Sequence, residues 1–228
     1  MIINYSRVIS TSVITPIIAI IFVILILLTL KRDKDYLANK FLVFFYILII
    51  IACITQLIYL YSSNIVFITY GNLFTITSLN LGSFFLFLSI LVIYRGETYF
   101  FRDKKIIFMM FLILFFIITE IFLVEGISVS ENYKPVWSMN FGFCQFILSQ
   151  GIIAIQFFLS VKIYKKVIGS VRNKFRYFII GIGLLDVHLI WLIIYNLNII
   201  PLVESFGTIF QLCGLIGAFL LYYGMIQK

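Results

Sequence analysis

Seven apolar stretches of about 20 residues follow one another along the chain, separated only by short polar connections. A helix of that length crosses the roughly 30 Å hydrocarbon core of a bilayer, because each residue adds about 1.5 Å. The sequence therefore predicts an all-α membrane protein whose single domain, residues 1–228, is a bundle of seven transmembrane helices. The predicted spans are, in chain order, about 12–30, 41–61, 73–94, 106–124, 140–161, 177–199 and 205–223.

The composition excludes a water-soluble fold. Hydrophobic residues make up 63% of the chain and charged residues only 11%, whereas soluble domains carry about 25% charged residues. The seven spans use most of the 228 residues, which leaves no room for a folded soluble domain. We therefore expect any kinase, nucleotide-binding or DNA-binding activity to come from a partner protein.

The distribution of positive charge predicts the orientation. Of the 17 Lys and Arg residues, 15 fall in the connections after the first, third and fifth spans or in the C-terminal tail, and only Arg7 and Lys134 fall on the other side. Because cytoplasmic loops retain Lys and Arg, the N-terminus is expected outside and the C-terminus inside, in a multi-pass protein of the cell membrane. The same asymmetry explains the net charge of +8 without a nucleic-acid partner.

Three ionisable residues lie within predicted spans. Asp186 lies near the middle of the sixth span, where a carboxylate costs about 2.5–3.5 kcal/mol unless it is paired, hydrated or protonated. Functional and structural roles for Asp186 both stay open. His188 is two positions further on and shares its helix face with Trp191 and Tyr195, which favours a packing role. Glu120 lies near the end of the fourth span.

Two helix faces carry recognisable patterns. Gln145, Ser149, Gln156 and Ser160 form a polar stripe on the fifth span, which must face the bundle interior. Hydrogen bonding between helices, at about 0.6 kcal/mol per contact, is favoured over a lining for a polar ligand. On the seventh span, small residues repeat beside Gln211 and predict a helix-packing seam. This seam comprises Gly207, Gln211, Gly214 and Ala218.

Amide side chains at similar depth predict a polar pocket in the outer half of the bundle. The candidate ligand-binding residues are Gln56, Asn80, Gln145, Ser149 and Gln211. Amides offer both donors and acceptors, which suits a small uncharged or zwitterionic ligand. The alternative is that these amides bond to one another and hold the helices together.

No residue pattern indicates catalysis or a cofactor. The three cysteines share no metal-ligand spacing, no phosphate loop or nucleophile elbow occurs, and a single histidine excludes a bis-histidine haem built from this chain. The seventh span has no Lys for a retinal Schiff base. We therefore expect a protein that is not an enzyme and that carries neither metal nor cofactor.

Several short motifs resemble the N-terminal seven-helix sensing region of prokaryotic, especially archaeal, membrane histidine kinases. They are Asn39-Lys40 before the second span, Tyr94-Arg95 after the third, Arg172-Asn173-Lys174-Phe175-Arg176 leading to Gly181, Pro201 after the sixth, and Leu221-Tyr222-Tyr223-Gly224. In that family a cytoplasmic sensory or kinase domain follows the last helix, whereas this chain ends at Lys228. The resemblance implies a stand-alone sensor-like body.

Three functions fit these observations. The first is a membrane sensor or receptor-like module that signals through a cytoplasmic protein docked on the basic loops. The second is a small transporter or channel with Asp186 as its coupling carboxylate. The third is a non-catalytic subunit of a larger membrane complex. In each case the lipid bilayer is a partner and nucleic acid is not.

Overall fold

A computed structural model of the protein describes residues 10–100, 102–198 and 206–225. Within these residues eight α-helices follow a π-helical turn at Ser10–Ile14, and a 3-10 turn and a two-stranded hairpin separate the fifth helix from the sixth. The helices are α1 Thr15–Arg32, α2 Leu37–Leu60, α3 Ile65–Arg95, α4 Glu97–Phe100, α5 Lys104–Ile121, α6 Met139–Lys166, α7 Gly169–Leu197 and α8 Gly207–Met225. The antiparallel strands are β1 Ile127–Val129 and β2 Pro135–Trp137.

Side-chain caps fix where several helices begin. Asn64, Asp103 and Ser138 precede α3, α5 and α6, and each accepts a hydrogen bond from a backbone N–H of the first turn. These caps satisfy donors that have no partner within the helix. At the other end of α3, Gly96 adopts φ 83°, a left-handed conformation that glycine reaches without steric cost.

The long helices identify a multi-pass membrane protein. Five of them, α1, α2, α3, α6 and α7, are long and apolar enough to cross a membrane. The shorter α5 buries a narrow seam and exposes large aromatic residues on its other face: Phe108, Phe111 and Phe115 are 64–70% exposed. An apolar face of this kind is unfavourable in water and is covered by lipid in a bilayer.

Helix α3 lies at the centre of the bundle. In the most apolar 18-residue stretch of α3, 67% of the residues are buried. The corresponding value for the other four candidate spans is 28–39%. Its inward residues Phe84, Phe87 and Ile90 are at most 2% exposed and belong to the main hydrophobic core. The helices around α3 therefore pack against it and present their other faces outward.

Glycines bring α7 and α8 into close backbone contact. A Cβ atom at Gly181 would lie 2.8 Å from the backbone nitrogen of Leu221 and 2.9 Å from the carbonyl oxygen of Gly217. A Cβ atom at Gly224 would lie 2.6 Å from the backbone nitrogen of Phe178. Small residues permit such approaches between helices in membranes. The predicted seam on the last span is only partly correct, since Gly217 and Gly224 make the closest contacts while Gly214 faces His188.

The hairpin covers one end of the bundle. Its residues Ile127 and Trp137 pack with Leu73, Ile76 and Phe141 in a second hydrophobic cluster. The Trp137 indole donates to Asn72 Oδ1 at 2.9 Å, and Asn72 in turn donates to the Tyr59 hydroxyl at 3.2 Å. We call this the hairpin end. The opposite end, where Arg95 and Lys166 line one pocket, is called the basic end.

Two of the predicted connections are largely helical in the structure. The connection predicted at Ser62–Asn72 is helical from Ile65, since Asn64 caps α3 there. The basic connection at 162–176 is helical except for Val167 and Ile168, because α6 continues to Lys166 and α7 begins at Gly169. The predicted ends at Ile199 and Ser205, together with Arg7, Pro201 and Lys228, lie outside the described residues.

Candidate functional site

A cavity of about 100 Å³ lies between α1, α2, α3, α6, α7 and α8, towards the hairpin end. Most of its lining is aliphatic or aromatic, and none of the described residues that line it is Asp, Glu, Lys or Arg. Its polar lining consists of Thr15, Gln56, Thr75, Ser83, Gln156, His188 and Gln211. A concave site between bundle helices, mostly apolar with a few polar groups, is typical of small-molecule sites.

Gln211 supplies an unsatisfied acceptor to this cavity. Its side chain is only 4% exposed, and its Oε1 has no hydrogen-bond partner among the described residues. A buried amide oxygen without a partner costs about 1–3 kcal/mol, and most such groups in proteins are paired. Water or a ligand with a donor group would remove that cost.

His188 supplies a second polar group. Its Nδ1 lies 3.1 Å from the carbonyl oxygen of Phe210, and since a carbonyl only accepts, Nδ1 carries the proton. Nε2 is then an acceptor whenever the ring is neutral. The imidazole stacks on Trp191 at 5.7 Å between ring centroids, and Trp191 stacks on Phe210 at 5.9 Å. These contacts fix the ring at the cavity wall.

Two further polar side chains of the lining, Gln156 and Thr75, are occupied by bonds to backbone carbonyl groups. Gln156 donates from Nε2 to the Ser83 carbonyl oxygen at 2.6 Å, and the Thr75 hydroxyl donates to the Gly71 carbonyl oxygen at 2.9 Å. Gln156 belongs to the predicted stripe, whose four members Gln145, Ser149, Gln156 and Ser160 are all at most 5% exposed. The stripe therefore faces the interior, and Gln156 joins α6 to α3.

The five candidate ligand-binding residues separate into two groups. Gln56 and Gln211 line the cavity. Asn80, Gln145 and Ser149 do not, so the predicted grouping of four amides around one pocket is wrong. The reason is the rotation of α3 and α6, which turns Asn80 and Gln145 towards Glu120 on α5.

Glu120, Asn80 and Gln145 form a buried cluster, here called the carboxyl–amide cluster. Asn80 Nδ2 donates to Glu120 Oε2 at 2.8 Å and to Gln145 Oε1 at 2.9 Å. All three side chains are at most 5% exposed. The second carboxyl oxygen of Glu120 has no partner among the described residues. The cluster joins α5 to α3 and α6.

Asp186 belongs neither to the cavity lining nor to the carboxyl–amide cluster. Its carboxylate accepts a hydrogen bond of 2.7 Å from Gln150 Nε2 on α6, and the residue is half-buried. Sequence reasoning did not identify Gln150 as this partner, because Gln150 lies beside the polar stripe and not on it. The sequence feature that could have indicated this contact is the polar side chain of Gln150 within an otherwise apolar span.

Lys134 in the hairpin is a second residue that sequence reasoning did not assign to the interior. It is only 7% exposed, and its ammonium group lies 3.9 Å from the centroid of the Tyr195 ring. Cation–π contacts of this kind stabilise a partly buried ammonium group. The contact fixes the hairpin over the end of α7.

Comparison with protein-family models, with curated proteins and with solved structures finds no match. The resemblance to the sensing regions of histidine kinases therefore stays a prediction.

Proposed function

We propose that this protein is a seven-helix membrane receptor that binds a small uncharged molecule in the central cavity and signals through a cytoplasmic partner. The observation that carries the proposal is the cavity itself, in which Gln211 Oε1 is buried and unbonded among the described residues. A cavity next to an unsatisfied acceptor favours a ligand with a hydrogen-bond donor.

The proposed topology takes α1, α2, α3, α5, α6, α7 and α8 as the seven spans. Helix α5 has 18 residues, which corresponds to about 27 Å at 1.5 Å per residue, and its exposed face is aromatic. The charge asymmetry supports an orientation with the basic end in the cytoplasm and the hairpin end outside. Docking of a signalling protein on the basic end would use Lys and Arg side chains of α6 and α7.

The cavity restricts the ligand in size and charge. An apolar cavity of roughly 150 Å³ holds benzene, so about 100 Å³ holds a molecule of a few heavy atoms unless the helices move apart. A charged ligand is disfavoured because the described lining offers no opposite charge. A small alcohol fits best, since its hydroxyl would donate to Gln211 or His188 while its carbon atoms contact the apolar wall.

Coupling to the basic end would run through α7 and α8. His188 and Gln211 lie on these two helices, and the close contact at Gly181 and Gly217 lies further towards the basic end. A ligand shifts a conformational equilibrium only through different affinities for the two states. A molecule that bridges His188 and Gln211 would favour one relative position of α7 and α8.

A carrier built around Asp186 has less support. Asp186 does not line the cavity, and the helices that line it continue through it without a break within the described residues. Secondary transporters typically place discontinuous helices at their binding sites.

Fluorescence quenching tests the proposal. The chain has two tryptophans, so Trp137→Phe leaves Trp191 in the cavity wall as the only indole. Trichloroethanol, an uncharged alcohol that quenches indole, is titrated into the full-length protein in lipid nanodiscs. Its size is close to that of benzene, so its entry would require the helices to move slightly apart. We expect a saturable component, because a site fills, in addition to the linear quenching from lipid-dissolved alcohol.

Two further variants in the Trp137→Phe background complete the test. Gln211→Leu removes the acceptor. We expect the affinity derived from the saturable component to fall about 5-fold or more, which corresponds to a hydrogen bond of about 1 kcal/mol. Gln150→Leu is the matched control, because Gln150 does not line the cavity. Purely linear quenching in all three proteins would refute ligand binding at this site.

A further inference from the structure

We propose that the basic end carries a binding site for the phosphate group of an anionic phospholipid. The site is a pocket of about 450 Å³ formed by the end of α3, the short helix α4, the start of α5 and the end of α6. Its lining residues are Tyr94, Arg95, Tyr99, Arg102, Asp103 and Lys166. The inference is independent of the central cavity.

The pocket concentrates positive charge. Arg95, Arg102 and Lys166 contribute three cations against the single carboxylate of Asp103. Asp103 is already engaged as the cap of α5, where its Oδ1 accepts from the Lys105 backbone N–H at 3.0 Å. Within the described part of the chain, none of the three cations forms an ion pair. Their charge therefore remains available for an anion.

Tyr94 positions two of these cations. The Lys166 ammonium lies 4.6 Å and the Arg95 guanidinium 5.6 Å from the centroid of the Tyr94 ring. Cation–π attraction of this kind holds long side chains close to the ring and restricts them to the pocket wall. Lys166 comes from α6 and Arg95 from α3, so the pocket collects charge from two helices.

The chemistry of the pocket matches a phosphate. A guanidinium group binds phosphate oxygens through two parallel N–H bonds, and an ammonium group binds as a point charge. The hydroxyl groups of Tyr94 and Tyr99 are further donors. At this position, where the apolar helices end, lipid phosphates lie at the same level, and basic pockets between helices bind anionic headgroups.

Native mass spectrometry of the full-length protein tests this proposal. Protein released from vesicles of phosphatidylcholine with one-fifth phosphatidylglycerol should retain phosphatidylglycerol in preference to phosphatidylcholine. The double variant Arg95→Gln/Lys166→Gln should reduce the retained phosphatidylglycerol about 5-fold or more. Retention of the two lipids in the one-to-four ratio of the vesicles would overturn the proposal, because it would show no preference for the anionic headgroup.

The control is Lys104→Gln/Lys162→Gln, which removes two cations of the basic end that do not line the pocket. This variant should retain phosphatidylglycerol within about 2-fold of the unaltered protein. An equal loss in both double variants would show that general surface charge causes the retention, and it would contradict a specific site. Circular dichroism verifies that all variants remain helical. In a second arm, millimolar inorganic phosphate and glycerol 1-phosphate should leave the retained lipid unchanged. Their displacement of the lipid would contradict the membrane as the source of the phosphate group.

Discussion

The Glu120 carboxyl group lies buried between three helices, and one of its two oxygens accepts a hydrogen bond from Asn80. Helix α5 otherwise buries only Ile106, Ile113 and Ile117, which lie on the same narrow face. The carboxyl–amide cluster is therefore the polar contact that fixes α5 in position and rotation against α3 and α6. Loss of the acceptor would leave a buried amide N–H partly unsatisfied.

We expect Glu120→Gln to preserve thermal stability, because its amide oxygen still accepts from Asn80. Glu120→Leu should cost about 1–3 kcal/mol, since Asn80 then loses a buried partner. For a chain of this size that corresponds to about 2–4 °C in Tm per kcal/mol. The measurement is the unfolding midpoint of the purified protein in detergent.

Glu131 provides the matched control for this series, because it is exposed in the hairpin. Glu131→Gln and Glu131→Leu should both lie within about 0.5 kcal/mol of the unaltered protein. If Glu120→Leu were as stable as these controls, the cluster would have no role in holding α5.

At the level of single residues, the sequence does not predict the direction in which buried side chains point. Gln56, Asn80, Gln145 and Gln211 were expected at one depth, yet α3 and α6 turn two of them towards Glu120 and away from the cavity. Helix rotation depends on the packing of all neighbouring helices, which hydropathy does not encode. Each interhelical hydrogen bond contributes only about 0.6 kcal/mol on average, so the amide side chains alone do not determine how a helix is rotated.

At the level of helices, the α7–α8 contact depends on glycine at particular positions. Gly181 approaches backbone atoms of α8, which cannot move aside as a side chain can. Gly183 is two residues further along the same helix, and a Cβ atom there would meet nothing within 4 Å. Comparison of alanine variants at the two positions therefore distinguishes the effect of close helix packing on stability from the general destabilisation by glycine in a helix.

Gly181→Ala should destabilise the protein by about 1–3 kcal/mol, because the added methyl group forces α7 and α8 apart. Gly183→Ala should leave stability unchanged or raise it by about 0.5–1 kcal/mol, since alanine favours the helix. Thermal unfolding of both variants under identical conditions measures the difference. Equal stabilities would show that α7 and α8 do not require this approach.

Hydropathy predicted where the long helices lie but not how they end. The caps at Asn64 and Ser138 fix helix starts through single hydrogen bonds, which a window of about 20 residues does not detect. The hairpin was missed as well, because strands of three residues show no clear alternation and its stability comes from packing against Leu73 and Phe141.

At the level of the whole molecule, the five apolar helices identify a multi-pass membrane protein, and the seven-span topology with an outer N-terminus remains a prediction. Single cysteines at Ser63 and Ser170 test it, because both residues are exposed and lie at opposite ends of the bundle. The three native cysteines are first replaced by alanine. An impermeant maleimide should label Ser63→Cys in intact cells and Ser170→Cys only after lysis. The reverse pattern would invert the orientation.

Binding of a small uncharged donor in the cavity is tested at His188, whose ring lies in the cavity wall. The chain contains one histidine, so ¹⁵N-histidine labelling gives the signals of this ring alone. In lipid nanodiscs we predict a protonated Nδ1 bonded to Phe210 and an Nε2 signal that shifts as trichloroethanol is added. The shift should saturate over the same concentrations as Trp191 quenching. An Nε2 signal that remains unchanged while the alcohol saturates the sample, or an unprotonated Nδ1, would contradict binding of the donor at His188.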